Sequence, residues 1–240
     1  MKKVLFFLFL NWTIGIIAQQ NSVELIYKVK LLEWEVPEVL EDIYKTSRER
    51  VKSIEFILLG NGDNSIFYKE QTLKSEADSS LDIALSIIET DGKYYTSFQK
   101  SVVLEDKPAY GEQFIIEHPI VKEGWLLTKE SKYIAKYRCY KATTTYVVNN
   151  SKGRFEFPVV AWYTPEINLP FGPKNYSGLP GLILELQEKD RVFYADKISL
   201  GKLDEKQRNL IAPPKGKKPI TQAEFDAIGA KIAKERFGGR

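Results

Sequence analysis

The sequence predicts a mainly β protein of the α+β class: a single curved antiparallel sheet or half-barrel, with one amphipathic helix after the first strand and another at the C-terminus. Short apolar segments follow one another along the 240-residue chain, with turn-forming residues between them. Helical patterns do not separate the strands of its middle part, which favours antiparallel over doubly wound parallel pairing. A composition of 43% hydrophobic and 28% charged residues is typical of a folded domain with a sizeable core.

The N-terminal part begins with a strand, a helix and a hairpin. Val23–Leu31 alternates apolar and polar residues, as a half-buried strand does. Glu38–Arg50 has apolar residues at helical spacing, acids early and arginines late, which suits the helix dipole. Two strand-like runs, Ser53–Leu59 and Ser65–Glu70, enclose the turn-forming residues 60–64 and predict a hairpin.

Further short strands and a closing helix account for the rest of the chain. Turn residues such as Asp91-Gly92 and Lys152-Gly153 separate the strands. The predicted strands are Tyr94–Val103, Glu112–Glu117, Gly124–Thr128, Tyr133–Tyr146, Arg154–Thr164, Leu182–Gln187 and Val192–Leu200. The stretch Pro219–Phe237 predicts a helix, because Thr221 and Glu224 have the spacing of a capping box.

The first 18 residues differ in kind from the others. Lys2 and Lys3 precede an apolar run that ends at Ala18, which is the order of a secretory signal peptide. A membrane anchor is the alternative, but the run is shorter than the ~20 residues that span a bilayer. We therefore expect cleavage after Ala18, a single domain over residues 19–240 without a transmembrane segment, and a periplasmic or secreted location.

Charge and the rare residue types exclude several classes of function. Removal of residues 1–18 takes away two lysines and no acid, so the formal charge falls from +3 to +1. A near-balanced charge predicts no nucleic-acid partner. Neither a Walker loop nor a dinucleotide-binding glycine motif occurs, and one Cys with one His cannot form a disulfide framework or a Cys/His-rich zinc site. We expect no cofactor and no metal.

Cys139, the single cysteine, has two interpretations. In the predicted strand it shares a face with Lys141 about 7 Å away, and a nearby ammonium can lower the pKa of a thiol. Alternatively, Cys139 is a small buried apolar residue. The single histidine, His118, lies outside any nucleophile motif, and a metal site of His118, Cys139 and acids has no support from ligand spacing.

The stretch from Ala161 to Leu186 is dense in proline, glycine and aromatic residues. Proline fixes φ, and glycine permits backbone conformations that other residues resist, so the stretch predicts a stiff loop. Such a loop could hold Trp162, Tyr163 and Glu166 in place as a recognition surface. Alternatively, it is an elaborate corner between two strands that packs aromatic rings over an open edge.

Four segments occur together in this chain: Cys139–Ala142, Ala161–Ile167, Gly172-Pro173 followed by Tyr176, and Gly178–Ile183, which reads GLPGLI. In this combination the sequence resembles the GLPGLI family of exported Bacteroidetes proteins, whose activity is not established. The resemblance implies a secreted or periplasmic single-domain protein and leaves its function open. It also implies that the family pattern includes Cys139, Lys141, Trp162, Glu166 and Gly178–Gly181.

Two hypotheses for function follow. The first is a non-enzymatic module of the cell envelope that binds a peptide, a lipid or an envelope protein. Its candidate binding residues are Cys139, Lys141, Trp162, Tyr163, Glu166, Tyr176, Gly178, Leu179, Pro180 and Gly181. The second is a hydrolase or thiol-dependent enzyme that uses Cys139 with Lys141, or Glu166 with a neighbouring acid.

Overall fold

A computed structural model describes residues 22–32, 37–70, 79–88, 90, 92–120, 124–150 and 153–237. The expected signal peptide, residues 1–18, lies outside these ranges. Within them, no helix combines the length and the apolar character that crossing a membrane requires.

Twelve strands in the described ranges form one open, curved sheet, which confirms the predicted mainly β fold. In chain order the strands are β1 Ser22–Leu31, β2 Glu55–Asn61, β3 Asn64–Lys69, β4 Lys93–Ser97, β5 Val102–Ala109, β6 Glu112–Pro119, β7 Leu126–Ile134, β8 Tyr137–Asn150, β9 Gly153–Thr164, β10 Leu182–Glu188, β11 Arg191–Leu200 and β12 Ile220–Thr221. They lie in the order β12-β6-β5-β4-β3-β2-β1-β11-β10-β9-β8-β7. Every neighbouring pair is antiparallel except the short parallel pair of β12 and β6.

Both predicted helices, the one after the first strand and the one at the C-terminus, are present. A 3-10 turn, Glu38–Leu40, leads into α1, Glu41–Val51, and the chain closes with α4, Gln222–Phe237. Two helices were not predicted, α2 at Ser79–Ile88 and α3 at Glu205–Leu210. In α2 the apolar residues largely alternate, and over so short a run this pattern does not distinguish a helix from a strand.

One face of the sheet, which we call the inner face, carries the main core. In β1 alternate side chains from Val23 to Leu31 are buried there. Stacked rings of Phe56 and Phe67, 5.3 Å apart between centroids, continue this core across β2 and β3. Helices α1 and α2 contribute to the same core through buried Val51, Ala84 and Ile88.

A second, smaller core lies on the opposite face of β2, β3 and β4, which we call the outer face. It contains Ile57, Leu59, Ile66 and Tyr95 from the strands, and Leu203 and Ile211 from the segment around α3. Asp204 caps this helix with a complete capping box, in which Gln207 N–H donates to the Asp204 carboxylate at 2.7 Å. The central strands are therefore covered on both faces, whereas β7 lies at the end of the sheet.

Two predicted strands were wrong because each contains a hairpin turn. The predicted strand 133–146 turns at Ala135-Lys136, where β7 ends and β8 begins. The predicted strand 94–103 turns between β4 and β5. Ala135 and Ser101 have φ values of 51° and 55°, although glycine or asparagine usually occupies such positions. These turns therefore carry no compositional signal that the sequence could reveal.

Candidate functional site

The proline–glycine segment, residues 165–181, packs against the inner face. Its side chains Ile167, Leu169, Phe171 and Leu179 are buried in the main core. Its backbone is tied to itself by short-range hydrogen bonds, such as Gly178 N–H to the Pro170 carbonyl at 2.9 Å. The segment is therefore packed, as a corner would be, but it covers the inner face of the sheet and not the open edge that the corner interpretation predicted.

Phe171 joins this segment to distant strands. Its ring lies 5.7 Å from that of Phe98, at the end of β4, and it packs against Gly60 of β2. A side chain at Gly60 would begin 2.8 Å from the Phe171 ring, so glycine is what lets the ring settle on β2. Since β2 and β10 are three strands apart in the sheet, the segment spans the inner face.

Gly181 ends the segment at a position that other residues resist. Its φ is +146°, and a Cβ there would lie 2.1 Å from the Thr164 carbonyl oxygen. This close approach lets Leu182 N–H donate to the Ile167 carbonyl at 3.1 Å and start β10 beside β9. The last glycine of GLPGLI is therefore required by backbone geometry.

A buried ion pair fastens the segment to β10. Lys174 Nζ donates to Glu188 Oε2 at 2.6 Å, and the Tyr176 hydroxyl donates to Glu188 Oε1 at 2.7 Å. We call these three residues the Glu188 cluster. Glu188 is 2% exposed and Lys174 is 9% exposed, so both charges are removed from water. Such a pair is costly to break, because either partner alone would be an uncompensated buried charge.

Electrostatics in the Glu188 cluster favour the charged carboxylate. Burial by itself would raise the pKa of Glu188, but the ammonium of Lys174 and the hydrogen bonds from Lys174 and Tyr176 hold this pKa below its usual value. Burial, together with the adjacent carboxylate, raises the pKa of the Tyr176 hydroxyl. Tyr176 therefore remains a hydrogen-bond donor, and the cluster is satisfied internally.

A second polar cluster lies on the inner face of β4, β5 and β6. Glu105 accepts a hydrogen bond from the Tyr94 hydroxyl at 3.0 Å and contacts His118 Nε2 at 2.9 Å. Burial alone would raise the pKa of Glu105, but its bond with His118 and the charge of Lys107 hold this pKa below its usual value. Within the described residues, no group of three His, Cys, Asp or Glu side chains could hold a metal ion.

Cys139 is fully buried in β8. Burial raises the pKa of its thiol to about 11. Lys141, the predicted activating group, has its ammonium 3.0 Å from Glu130 Oε1. The thiol therefore stays protonated at neutral pH, and its environment is that of the apolar core residue.

Trp162 and Lys141 lie on the outer face near the end of the sheet. Lys132 Nζ is 4.4 Å from the centre of the Trp162 ring and donates to Glu185 at 2.8 Å. Together with the pair of Lys141 and Glu130, these contacts link β7 to β8, β9 and β10. We call this group the lysine ladder: Lys132, Trp162, Glu185, Lys141 and Glu130.

The other strand edge of β7 is open. It pairs with β8 on one side, and no described strand pairs with it on the other. Leu126, Leu127 and Tyr133 are 69%, 51% and 72% exposed. Natural proteins usually shorten, cover or charge such an edge, because its unpaired backbone groups can pair with another chain. The exposed apolar side chains lie towards the two ends of β7, with Lys129, Glu130 and Lys132 between them and a shift of register with β8 between Leu127 and Ser131. The nine-residue edge nevertheless has unpaired backbone groups to which a partner strand can add.

The structure divides the predicted site residues into three places. Lys141 and Trp162 are paired on the outer face beside β7, whereas Cys139 and Tyr163 are buried in the main core. Glu166 is exposed and accepts the Arg138 backbone N–H at 2.8 Å. Glu166 belongs to the proline–glycine segment, as do the remaining predicted site residues, Tyr176, Gly178, Leu179, Pro180 and Gly181; of these, Pro180 is exposed and Leu179 is 1% exposed.

Sequence reasoning missed Lys174, Glu188, Glu105 and the β7 edge. A signal existed for Glu188, because it follows Leu184 and Leu186 at the inward positions of an apolar strand. No comparable signal existed for β7. Its place at the end of the sheet depends on strand order, which local sequence does not specify.

Comparison with known proteins gives a match to a family model over a short segment and a similarity of fold to solved structures. A family model described as a protein of unknown function (Porph_ging) matches residues 152–185, from β9 through the proline–glycine segment to β10. Solved structures of PNGF-II in its C2 and P21 crystal forms are similar, with TM-scores of 0.54 and 0.52 and identities of 16% and 14%. They cover 88% and 87% of this chain, which spans 33% of the PNGF-II chain in both cases. No curated protein matches this chain.

Proposed function

We propose that this chain is a non-enzymatic binding module of the cell envelope that takes up an extended polypeptide segment at the open edge of β7. The observation that carries the proposal is an unpaired strand edge bordered by exposed Leu126, Leu127 and Tyr133. An added strand would gain main-chain hydrogen bonds from the edge and side-chain contacts from these residues. A lipid cannot supply the backbone groups that such an edge pairs with.

The rigidity of the surface behind β7 supports this proposal. The lysine ladder ties β7 to three further strands, and the Glu188 cluster fixes the proline–glycine segment to β10. Trp125, just before β7, donates its Nε1–H to the Ser177 carbonyl of that segment at 3.2 Å. A preorganised edge loses little conformational entropy on binding, which favours affinity.

The proposal also includes an exported location and membership of the GLPGLI family. The pattern of residues 1–18 supports a periplasmic or secreted location, where extended segments of envelope proteins are accessible partners. The match over residues 152–185 and the GLPGLI motif together support membership of the GLPGLI family. The alternative of a thiol enzyme receives no support from the Cys139 environment, because the thiol is buried and its pKa is raised to about 11.

Three nine-residue peptides test strand addition. Each alternates valine with a second residue, which is glutamate, serine or lysine, and each has a counterpart with every backbone nitrogen methylated, so that neither edge of the counterpart has donors. We expect at least one unmethylated peptide to bind and to slow amide hydrogen exchange in residues 126–134. Its methylated counterpart should not bind, because it lacks the backbone donors that pair with a strand edge.

A pair of variants supplies the matched control. Tyr133→Ser should weaken binding about tenfold, because the exposed ring beside the edge is lost. Phe155→Ser removes another exposed ring, 40% accessible, from the far part of the β8–β9 hairpin and should leave binding unchanged. The proposal fails if all three peptides bind no better than their methylated counterparts, or if phosphatidylcholine vesicles bind and the peptides do not.

A further inference from the structure

We infer that the segment bound at β7 is acidic; this inference rests on the strand-binding function proposed above. The hairpin of β7 and β8 from Leu126 to Lys141 contains five basic side chains and one acidic side chain. The whole chain has a formal charge of only +3, so this edge has a local excess of positive charge. A partner strand that lies along it would meet that excess at close range.

Neighbouring carboxylates neutralise only part of this charge. Lys132 pairs with Glu185 at 2.8 Å and Lys141 pairs with Glu130 at 3.0 Å, which accounts for two of the five basic groups. Both pairs belong to the lysine ladder, and both are partly exposed. These two ion pairs hold β7 against the rest of the sheet.

The three other basic groups make no ion pair within the described part of the chain. They are Lys129, Lys136 and Arg138, and all three are exposed. Lys136 and Arg138 lie over the rings of Tyr137 and Tyr140, at 5.4 Å in both cases. These cations are held close to the hairpin surface by aromatic contacts, yet no carboxylate compensates them.

One carboxylate near these groups is already occupied. Glu166 accepts a hydrogen bond from the backbone N–H of Arg138, which points one of its oxygens at the main chain and not at a cation. Asp or Glu side chains of an added strand would therefore form ion pairs that the chain itself does not supply. Electrostatic complementarity of this kind selects the partner and speeds its association.

The glutamate, serine and lysine peptides distinguish this inference from the function on which it rests. We expect the glutamate–valine peptide to bind at least about tenfold more tightly than the serine–valine peptide, and the lysine–valine peptide to bind weakest. The advantage of the glutamate peptide should shrink as salt rises from about 50 mM to about 500 mM, since exposed charges are screened.

Charge-reversal variants locate the effect. The double variant Lys129→Glu/Lys136→Glu should remove the preference for the glutamate peptide, measured as the ratio of its Kd to that of the serine–valine peptide on the same variant. The matched control Lys215→Glu/Lys231→Glu makes the same change of charge at exposed positions away from β7 and should leave the preference intact. Equal binding of all three peptides overturns the acidic preference while strand addition stands, whereas binding by none of them overturns both.

Discussion

At the scale of single residues, the environment of Cys139 decides whether its thiol is reactive or is an inert part of the core. The side chain is fully buried and its pKa is raised to about 11, so the thiolate is scarce at neutral pH. We expect a thiol reagent at pH 7 to leave the folded protein unlabelled and to label it stoichiometrically in denaturant. The control Cys139→Ala/Lys215→Cys carries an exposed thiol and should react without denaturant. Rapid labelling of the folded native chain would contradict the core assignment.

At Gly181, the surroundings and the backbone conformation determine how much an added side chain would destabilise the protein. Gly181→Ala places a Cβ 2.1 Å from the Thr164 carbonyl oxygen at a φ of +146°, so we expect a loss of about 3 kcal/mol or more in unfolding free energy. Gly62→Ala is the matched control. Gly62 also has a positive φ, +58°, but nothing lies within 4 Å of its added Cβ, and we expect a loss of about 1 kcal/mol. Urea denaturation measures both values, and equal losses would show that the contact with Thr164 is unimportant.

Lys174 tests the buried ion pair. Lys174→Met leaves the Glu188 carboxylate, which is 2% exposed, without the ammonium that it binds and with only the more distant charge of Arg191, so we expect a loss of about 3–5 kcal/mol. The double variant Lys174→Met/Glu188→Gln should recover part of this loss, because the buried carboxylate that lost its ammonium is gone. Denaturation of the single and double variants measures the coupling. A double variant that is less stable than Lys174→Met would contradict this account.

The same pair gives a pH dependence with a definite sign. Because the pKa of Glu188 is lower in the folded chain than its ordinary value of 4.5, the unfolded chain takes up a proton first as the pH falls. The stabilisation is therefore complete above about pH 4.5 and is lost as the pH falls through the folded pKa. The stability of Glu188→Gln should fall less steeply with acid than that of the native chain. Glu105, whose pKa is also lowered, accounts for part of the remaining slope.

At the scale of elements, α4 is attached through a small aromatic contact. The ring of Phe225 packs 5.3 Å from that of Phe114 and 5.7 Å from that of Tyr110, and most other residues of the helix are exposed. We expect Phe225→Ala to release α4 locally while the sheet stays folded. Amide exchange should rise at least about tenfold in residues 222–237 and remain unchanged in β1 and β2. The exposed position Glu235→Ala is the control, and accelerated exchange throughout the sheet would contradict local release.

Element prediction succeeded where local chemistry fixes the structure. The alternation of β1 and the capping box of Thr221 and Glu224 are local signals, and both elements form where these signals predict them. The turn at Ala135 was missed because no glycine or asparagine occupies its positive-φ position. Val39 and Ile43 are two of the apolar residues at helical spacing in Glu38–Arg50, yet both are exposed, and Val39 lies in the 3-10 turn before α1.

The candidate site was harder to predict from the sequence than the helices and strands were. Lys141 and Trp162 were identified from spacing and motif, and they lie together on the outer face. Their partners, Glu130 and Glu185, come from other strands, and only the strand register brings them into contact. Register and strand order depend on long-range packing, which a single sequence does not specify.

At the scale of the whole molecule, one core cluster runs across the sheet from β5 to β8 and includes the proline–glycine segment. The two ends of the sheet differ from each other in how they are covered. The short strand β12 and helix α4 cover β6, whereas β7 has no described partner on its outer edge. The architecture therefore combines a continuous core with a nine-residue end strand, β7, whose outer edge has no described partner.

Phe171 tests whether the core and the segment unfold as one unit. The ring is fully buried and contacts β2 and the end of β4 from the segment that follows β9. Phe171→Ala should therefore lower the unfolding free energy by about 3–5 kcal/mol, as large-to-small changes in a packed core do. Phe155→Ala, at a ring that is 40% exposed, should cost less than about 1 kcal/mol. If the molecule is one cooperative unit, urea transitions followed by far-UV circular dichroism and by tryptophan fluorescence should coincide in both variants. Separate transitions in Phe171→Ala would show that the proline–glycine segment melts independently of the sheet.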